Sequence, residues 1–374
     1  MNIPYGKQYI DEEDIQMVVD VLRSDYLTTG PAVHDFEQSV AAYVGAKYAV
    51  AVSNGTAALH AACYAANIRE GDEVITSPLT FAASANCILY CKGTPVFADI
   101  KKDTYNIDPE DVKRKITPKT KAIIAVHYAG QPCEMDEIHA IAKDNHLLVI
   151  EDAAHALGSK YKGKKIGSLS DMTIFSFHPV KHITTGEGGM ITTNNETLYR
   201  KLLLFRNHGI TRDDSLMTRH KGGWYYQQLE LGFNYRISDI QCALGISQMK
   251  KLERFVAKRR SLAEKYNAEF ENIHDIVCPL QKDDCMSSWH LYVIQVPAPK
   301  RRKIYEEMHE AGIRVNVHYI PVYQHPYYQE NGFKYVKCPN TEFLYERILS
   351  LPLYYQLEDN MQDFVIKTLK KILR

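Results

Sequence analysis

Lys181 lies within Phe175-Ser176-Phe177-His178-Pro179-Val180-Lys181-His182-Ile183-Thr184-Thr185-Gly186-Glu187-Gly188-Gly189, just past an apolar run and inside a loop of small and turn-forming residues. A lysine in that setting can be held partly desolvated, and desolvation lowers an amine's pKa toward nucleophilic use. Such an amine suits Schiff-base chemistry with a carbonyl. A loop lysine taken singly is more often solvated, so the reading rests on the neighbours of Lys181.

The first neighbour is upstream. Leu147-Leu148-Val149-Ile150 reads as a short buried strand ending in Glu151-Asp152-Ala153-Ala154-His155. Ligands of open α/β sheets sit outside the carboxyl ends of the strands, which puts Asp152 at a productive place. A carboxylate there can hold a ring nitrogen protonated. An acid on the pyridine nitrogen and a lysine holding the aldehyde as an imine are the two groups that pyridoxal phosphate requires. In isolation, Asp152 would be read as a helix N-cap, and His155 as a satisfied surface or packing histidine.

A third element is the strand-like Tyr48-Ala49-Val50-Ala51-Val52, followed by Ser53-Asn54-Gly55-Thr56 and the helix former Ala57-Ala58-Leu59-His60-Ala61-Ala62. A glycine-containing turn that opens a helix leaves backbone N–H groups aimed outward, with a dipole that favours an anion. That is a phosphate cradle, or an ordinary helix start capped by Ser53 or Asn54. Phe81, in Pro78-Leu79-Thr80-Phe81 after the strand Glu73-Val74-Ile75-Thr76, could lie on a cofactor ring or pack in a core.

Five ordered pieces now carry a resemblance: Ser53 to Leu59, Glu151 to His155, Phe175 to Phe177, Lys181 with Thr184 to Gly189, and Gly232-Phe233-Asn234-Tyr235-Arg236. Together they resemble the DegT/DnrJ/EryC1/StrS family of sugar aminotransferases over nearly the whole chain. The resemblance implies a fold type I pyridoxal phosphate enzyme: a largely parallel, seven-stranded type of sheet between helices, with a smaller C-terminal α+β domain. It implies Lys181 as the internal aldimine, with pyridoxamine phosphate as the other form of the cofactor, and Asp152 on the pyridine nitrogen. His155 faces the ring hydroxyl, Phe81 stacks on the ring, and Gly55, Thr56 and Ser176 bind the phosphate. Asn234 resembles the residue that reaches the phosphate of the neighbouring subunit's cofactor, which implies a homodimer with shared sites.

Within the family, His178-Pro179-Val180-Lys181-His182-Ile183-Thr184-Thr185 and the segments Leu280 to Asp283, Trp289 to Tyr292 and Val317 to Gln324 are similar to the branch acting in pseudaminic acid biosynthesis. That branch implies transfer of the amino group of L-glutamate to C4 of a UDP-linked 4-keto-6-deoxy-2-acetamido sugar of the L-altro series. The matched sugar-nucleotide positions are Tyr5, Asp25-Tyr26-Leu27-Thr28, His178 and Tyr319-Ile320-Pro321-Val322. Arg236 could meet a phosphate or carboxylate bidentately, or form a structural ion pair. For the others the plain alternatives are a terminal anchor at Tyr5, a turn at Thr28-Thr29-Gly30-Pro31 and a domain core at Tyr319.

The elements that must position these groups follow from pattern. Apolar runs at Val74 to Thr76, Pro95 to Ala98, Ala122 to Val126, Leu147 to Ile150, Thr173 to Phe177 and Met190 to Thr192 alternate with helical stretches, which argues for a largely parallel sheet covered by helices. Ser238 to Phe270 predicts one long helix. The expected boundary divides an N-terminal arm and large domain, 1–240, from the connecting helix and a small domain, 241–374. The latter is expected to hold a strand at Trp289 to Val296, a helix at Arg301 to Ala311, a strand at Arg314 to Tyr319 and a terminal helix from Asn360. Lys250-Lys251 and Lys258-Arg259-Arg260 are expected on solvated helix faces.

Composition narrows the alternatives. With 45 basic and 45 acidic residues the formal net charge is +0, so nothing points to nucleic acid or a polyanionic surface. The eight Cys show no Cys-x-x-Cys, and Cys87 and Cys91 read as reduced thiols on a helix. Without an apolar signal core or a membrane-length run, a cytoplasmic enzyme is expected. Gly186-Glu187-Gly188-Gly189 is not a dinucleotide fingerprint, and His178 and His182 lack the glutamate and regular helix of a zinc protease motif, so no metal is expected. Dehydratases of the same family hold His where Lys181 stands, which favours amino transfer. A regulatory protein on the same fold would want a basic recognition helix, and none is evident.

Overall fold

In the computed structural model, residues 2–374 are described. The alternating runs become seven strands: β1 (Tyr48–Val52), β2 (Glu73–Thr76), β3 (Thr94–Phe97), β4 (Thr120–Val126), β5 (Leu148–Asp152), β6 (Met172–Ser176) and β7 (Gly189–Thr193). They form one sheet in the order β1-β7-β6-β5-β4-β2-β3. Strands β6, β5, β4, β2 and β3 pair in parallel, while β7 is antiparallel to both β1 and β6. An antiparallel pair needs no helical crossover. The β6–β7 connection is therefore free to be the loop that carries Lys181.

Both faces of the sheet are buried, as parallel sheets require. Along β1, Ala49 and Ala51 join one core with Phe36, Val40, Phe175 and Phe255, while Val50 and Val52 join the other with Ala58, Ala62, Ile174 and Leu202. The first face is covered by helix α1 (Glu12–Leu22), α2 (Pro31–Val44) and the long helix Asp239–Phe270; the second by α3 (Gly55–Ala65) and α4 (Ala83–Tyr90). The long helix opens with a capping box in which the Ser238 hydroxyl accepts from Gln241 N–H at 3.3 Å and the Gln241 side chain accepts from Ser238 N–H at 3.1 Å.

The same helix serves a second core. Leu252 and Phe255 pack with the sheet, whereas Leu262, Tyr266 and Phe270 pack with Tyr292, Ile294, Ile304, Leu349 and Leu369. Ile3 is buried in this second core, and its carbonyl accepts from Arg314 N–H at 2.8 Å. The expected helix near Arg301 spans Ala298–Glu310 and the terminal one Asp359–Leu373. No helix among the described residues is long and apolar enough to cross a membrane.

Two expectations are corrected. Arg314 to Tyr319 is not a strand: its backbone bonds alternate between Ile3 on one side and Ser350 on the other, giving isolated bridges in place of a ladder. The strand at Tyr292–Gln295 pairs instead with Ile348–Leu351, four residues too short to show a period. The charged clusters are not wholly solvated either. Arg259 is 2% exposed because it sits on the helix's buried stripe, Leu252, Phe255, Arg259, Leu262, Tyr266, at steps of three and four. Lys251 is buried against α1, where it pairs with Asp11 and, at 3.1 Å, with Asp14.

Candidate active site

The Lys181 loop is held at both ends. Phe177 N–H donates to Gly188 O at 2.9 Å, and the Phe177 carbonyl takes Thr185 N–H at 3.1 Å and the Thr184 hydroxyl at 3.0 Å. Gln241 and Gln248 of the long helix bond Glu187 O at 2.7 Å and Thr184 N at 3.4 Å. Underneath, the Phe36 and Phe177 rings meet at 5.0 Å, a contact worth roughly 1 kcal/mol beyond its buried area. Gly189 is required where it stands: a Cβ there would lie 2.4 Å from Asn54 O.

Lys181 keeps partial exposure as a residue, yet its amine is surrounded by protein. Burial pushes the amine down to about 8; the Asp152 carboxylate opposes that fall, and the buried Arg259 guanidinium adds to it. Arg259 is fixed by carbonyls, donating to Leu353 O at 2.8 Å and His290 O at 3.1 Å. The amine lies 3.5 Å from His290 Nε2. His290 is 4% exposed, and its Nδ1 has no protein partner.

Asp152 closes β5 at 5% exposure. Its Oδ1 accepts from Ala154 N–H at 3.2 Å, but a turn follows in place of a helix, so Asp152 is not an N-cap. Its Oδ2 accepts the Ser84 hydroxyl at 2.6 Å. The preceding Glu151 is turned away into a buried pair with His127 at 2.8 Å, as the alternation of a strand demands. Burial alone would raise the Glu151 carboxyl, but the bonds from His127 and Thr173 outweigh it and hold it below its usual range.

His155 is buried, not a surface histidine. Ala129 N–H donates to its Nδ1 at 3.3 Å, so Nδ1 is the acceptor and Nε2 carries the proton. Nε2 lies 3.0 Å from the Tyr319 hydroxyl. Burial, then the charge of Lys181, drives His155 well below its ordinary pKa, and His290 is shifted the same way for the same leading reasons. The amine therefore faces neutral imidazoles.

At the sheet's adjoining end, Asn54 caps α3 by accepting from Ala57 N–H at 2.8 Å, which leaves the N–H groups of Gly55 and Thr56 at the open helix end. A Cβ on Gly55 would lie 3.1 Å from Ser176 Cβ, so Ser176 borders that end directly. Phe81 is 62% exposed, its ring 6.2 Å from that of Tyr319. It is a free apolar face, not a core residue.

The sugar positions divide. Tyr5 is half-buried with its ring 5.4 Å from His318, and Tyr319 and Ile320 continue from there past His155. Val322 is corrected: it is 0% exposed and packs with Ala85, Phe97 and Tyr328, so its side chain has no surface to offer a ligand, while Pro321 beside it is buried as well. Asp25, Tyr26, Leu27 and Thr28 are exposed beside the start of the long helix, where Leu27 O accepts from Asp239 N–H at 3.0 Å. His178 is exposed on the Lys181 loop. Asn234 is exposed on a surface segment with Trp224, Leu231 and Phe233.

Arg236 donates to Asn207 Oδ1 at 2.7 Å and lines a cavity of about 450 Å³ with Tyr48, Tyr199 and Arg206, away from Lys181. Size does not make that cavity the reaction site. Two of its guanidinium groups are already paired, Arg206 with Glu37 and Arg200 with Glu196 at 2.6 Å, and no lysine lines it. Sequence reasoning gave no role to Ser84, His290 or Arg259. The helical step of Arg259 was a usable signal; the other two are marked only by position in space.

The donor set fits pyridoxal phosphate: a desolvated amine, a buried carboxylate acting on it, and a glycine-lined helix end against Ser176. Comparison with known proteins agrees. Residues 8–370 match the DegT/DnrJ/EryC1/StrS aminotransferase family. The chain is 44% identical to the spore coat polysaccharide biosynthesis protein SpsC of Bacillus subtilis, over 100% of this chain and 97% of that one. It is 40% identical to a UDP-4-amino-4,6-dideoxy-N-acetyl-beta-L-altrosamine transaminase of Campylobacter jejuni, over 99% and 97%. The solved structure of Helicobacter pylori PseC, an aminotransferase of pseudaminic acid biosynthesis, superposes with a TM-score of 0.93 at 34% identity, covering 100% of this chain and 99% of PseC. A sugar aminotransferase structure from Streptococcus pneumoniae in its PLP form gives 0.94 at 32%, with the same coverage. The mostly parallel sheet between helices is accordingly that of the fold type I transferases, and the chain belongs to the DegT/DnrJ/EryC1/StrS family of pyridoxal phosphate-dependent sugar aminotransferases.

Proposed function

We propose that this enzyme moves the amino group of L-glutamate to C4 of a UDP-linked 4-keto-6-deoxy-2-acetamido sugar of the L-altro series. The observation that carries the chemistry is the Lys181 amine, lowered to about 8 by burial in the site that Asp152 shares. Support for the sugar comes from the 40% identical altrosamine transaminase. When bound, pyridoxal phosphate supplies an electron sink and a carrier for the amino group.

The protein's own part is to hold and to move protons. Lys181, whose neutral form is accessible from about pH 8 upward, takes the α-proton of the amino donor and returns a proton to C4 of the sugar in the reverse half. Asp152 holds the proton on the ring nitrogen, while Gly55, Thr56 and Ser176 seat the phosphate. His155 keeps its donor at Nε2 and, with Phe81, bounds the ring's position. Asn234 serves the site of a second copy of the chain, a reading supported by its exposure on a segment where Trp224 is 74% and Leu231 78% exposed. The large domain, 1–240, and the smaller one, 241–374, meet at the long helix.

A second reading, amination of another nucleotide-linked 4-keto sugar, has in its favour that SpsC, 44% identical, is named for spore coat polysaccharide biosynthesis and not for an altrosamine. A panel of UDP-, GDP- and dTDP-linked 4-keto sugars with glutamate as donor separates the two. Turnover confined to a non-UDP sugar would remove the altrosamine assignment. Failure of glutamate to bleach the yellow loaded enzyme would remove the donor.

A further inference from the structure

A two-hydroxyl chain stands behind Asp152. Ser84 Oγ lies 2.6 Å from Asp152 Oδ2 and 2.8 Å from Thr80 Oγ1. Ser84 is 1% exposed and Thr80 3%, so neither bond is shared with solvent. An ionised carboxylate only accepts, hence the single Ser84 proton must point at Asp152; the Thr80 hydroxyl must in turn donate to Ser84. Thr80 lies in the bend before α4 and Ser84 in its first turn; the other acceptor in reach of the Ser84 proton, Phe81 O, is farther away at 3.3 Å. The direction of the chain is thereby fixed from Thr80 through Ser84 to the carboxylate.

The contact length is that of a charge-assisted bond, about twice as strong as a neutral one. It occupies one lone-pair direction of Oδ2, as Ala154 N–H occupies one of Oδ1, and so sets the carboxylate plane. We propose that Ser84, oriented by Thr80, is a positioning residue for the cofactor: it aims the Asp152 carboxylate at the ring nitrogen. This rests on the pairing of Asp152 with the ring proposed above.

The test uses Ser84→Ala, with Ser84→Thr as the conservative variant and Thr80→Val as an isosteric cut one step further back. Apoenzyme is titrated with pyridoxal phosphate, the visible absorbance of the loaded enzyme is followed against pH, and Tm is measured with and without cofactor. In Ser84→Ala the dissociation constant is expected to rise about tenfold, because a carboxylate left free to turn pairs less well with the ring. The absorbance midpoint moves up in pH, because a carboxylate no longer aimed at the ring nitrogen leaves less positive charge on the ring. Thr80→Val shifts both less, Ser84→Thr restores both, and the loaded enzyme loses more Tm than the apoenzyme, which also gives up the Ser84–Asp152 bond. Unchanged affinity and midpoint in Ser84→Ala, or an apoenzyme destabilised as much as the loaded form, would overturn the role of Ser84. Failure of the parent chain to take up pyridoxal phosphate would instead overturn the Asp152 reading beneath it.

Discussion

The Lys181 amine lies 3.5 Å from His290 Nε2, and both groups are cut off from bulk water. A neutral imidazole beside a lysine adds no charge repulsion but gives a proton-bearing amine little help, so desolvation governs. The amine titrates at about 8 instead of its ordinary 10.5. Loading of apoenzyme by pyridoxal phosphate should therefore accelerate through a midpoint near 8 and then level off. An unshifted lysine would keep gaining tenfold per pH unit. Between about 8 and 10.5 the unfolded chain binds the extra proton, so apoenzyme stability rises with pH there. Lys181→Met should flatten that slope in denaturant titrations.

Lys181→Ala should lose multiple-turnover transamination entirely, since the variant lacks both the covalent anchor and a base worth about 10² to 10⁴ in rate. Its circular dichroism should match the parent. Asn234→Ala should lose most of its activity as a separate protein. Mixed and allowed to exchange subunits, the two should regain activity, because one hybrid site has Lys181 on one chain and Asn234 on the other. No recovery on mixing would mean that the site is not shared.

Gly55→Ala should raise the dissociation constant for the cofactor by tenfold or more with little change in Tm. The new Cβ would stand 3.1 Å from Ser176 Cβ and 3.2 Å from its Oγ, spreading the two sides of the phosphate seat. Isothermal titration of apoenzyme with pyridoxal phosphate, and separately with inorganic phosphate, reads the loss.

Val322→Ala should destabilise the fold by about 2 kcal/mol through lost burial and a residual cavity. The side chain is 0% exposed among Ala85, Phe97 and Tyr328. KM for the keto sugar should stay within about twofold, whereas truncation of the exposed Ile320 should raise it. The opposite pattern would put Val322 back in the pocket.

Much of this site is local in origin. The β5 strand and Asp152 at its end, the glycine turn before α3, and Lys181 between two apolar strands each depend on runs of five to ten residues, and their periodicity and turn chemistry are visible in the chain. The long helix was equally legible, because its capping box and 3.6-residue stripe are properties of neighbours. The strand at Ile348–Leu351 was not, since a four-residue run carries no period and its partner is more than fifty residues away.

What the chain determined alone was the inventory: a lysine in a loop between apolar strands, an acid at a strand end, a glycine-containing helix start, and the strands that end beside them. Only the tertiary structure decided how those groups are tuned and which of their neighbours reach them. Ser84 meets Asp152 across 68 positions, His290 meets Lys181 across 109, and Arg259 meets the carbonyl of Leu353 across 94. Desolvation, which lowers the Lys181 amine, is a sum over everything packed around it. A pattern read along one strand or helix cannot contain that sum, because the groups that displace water come from distant parts of the chain.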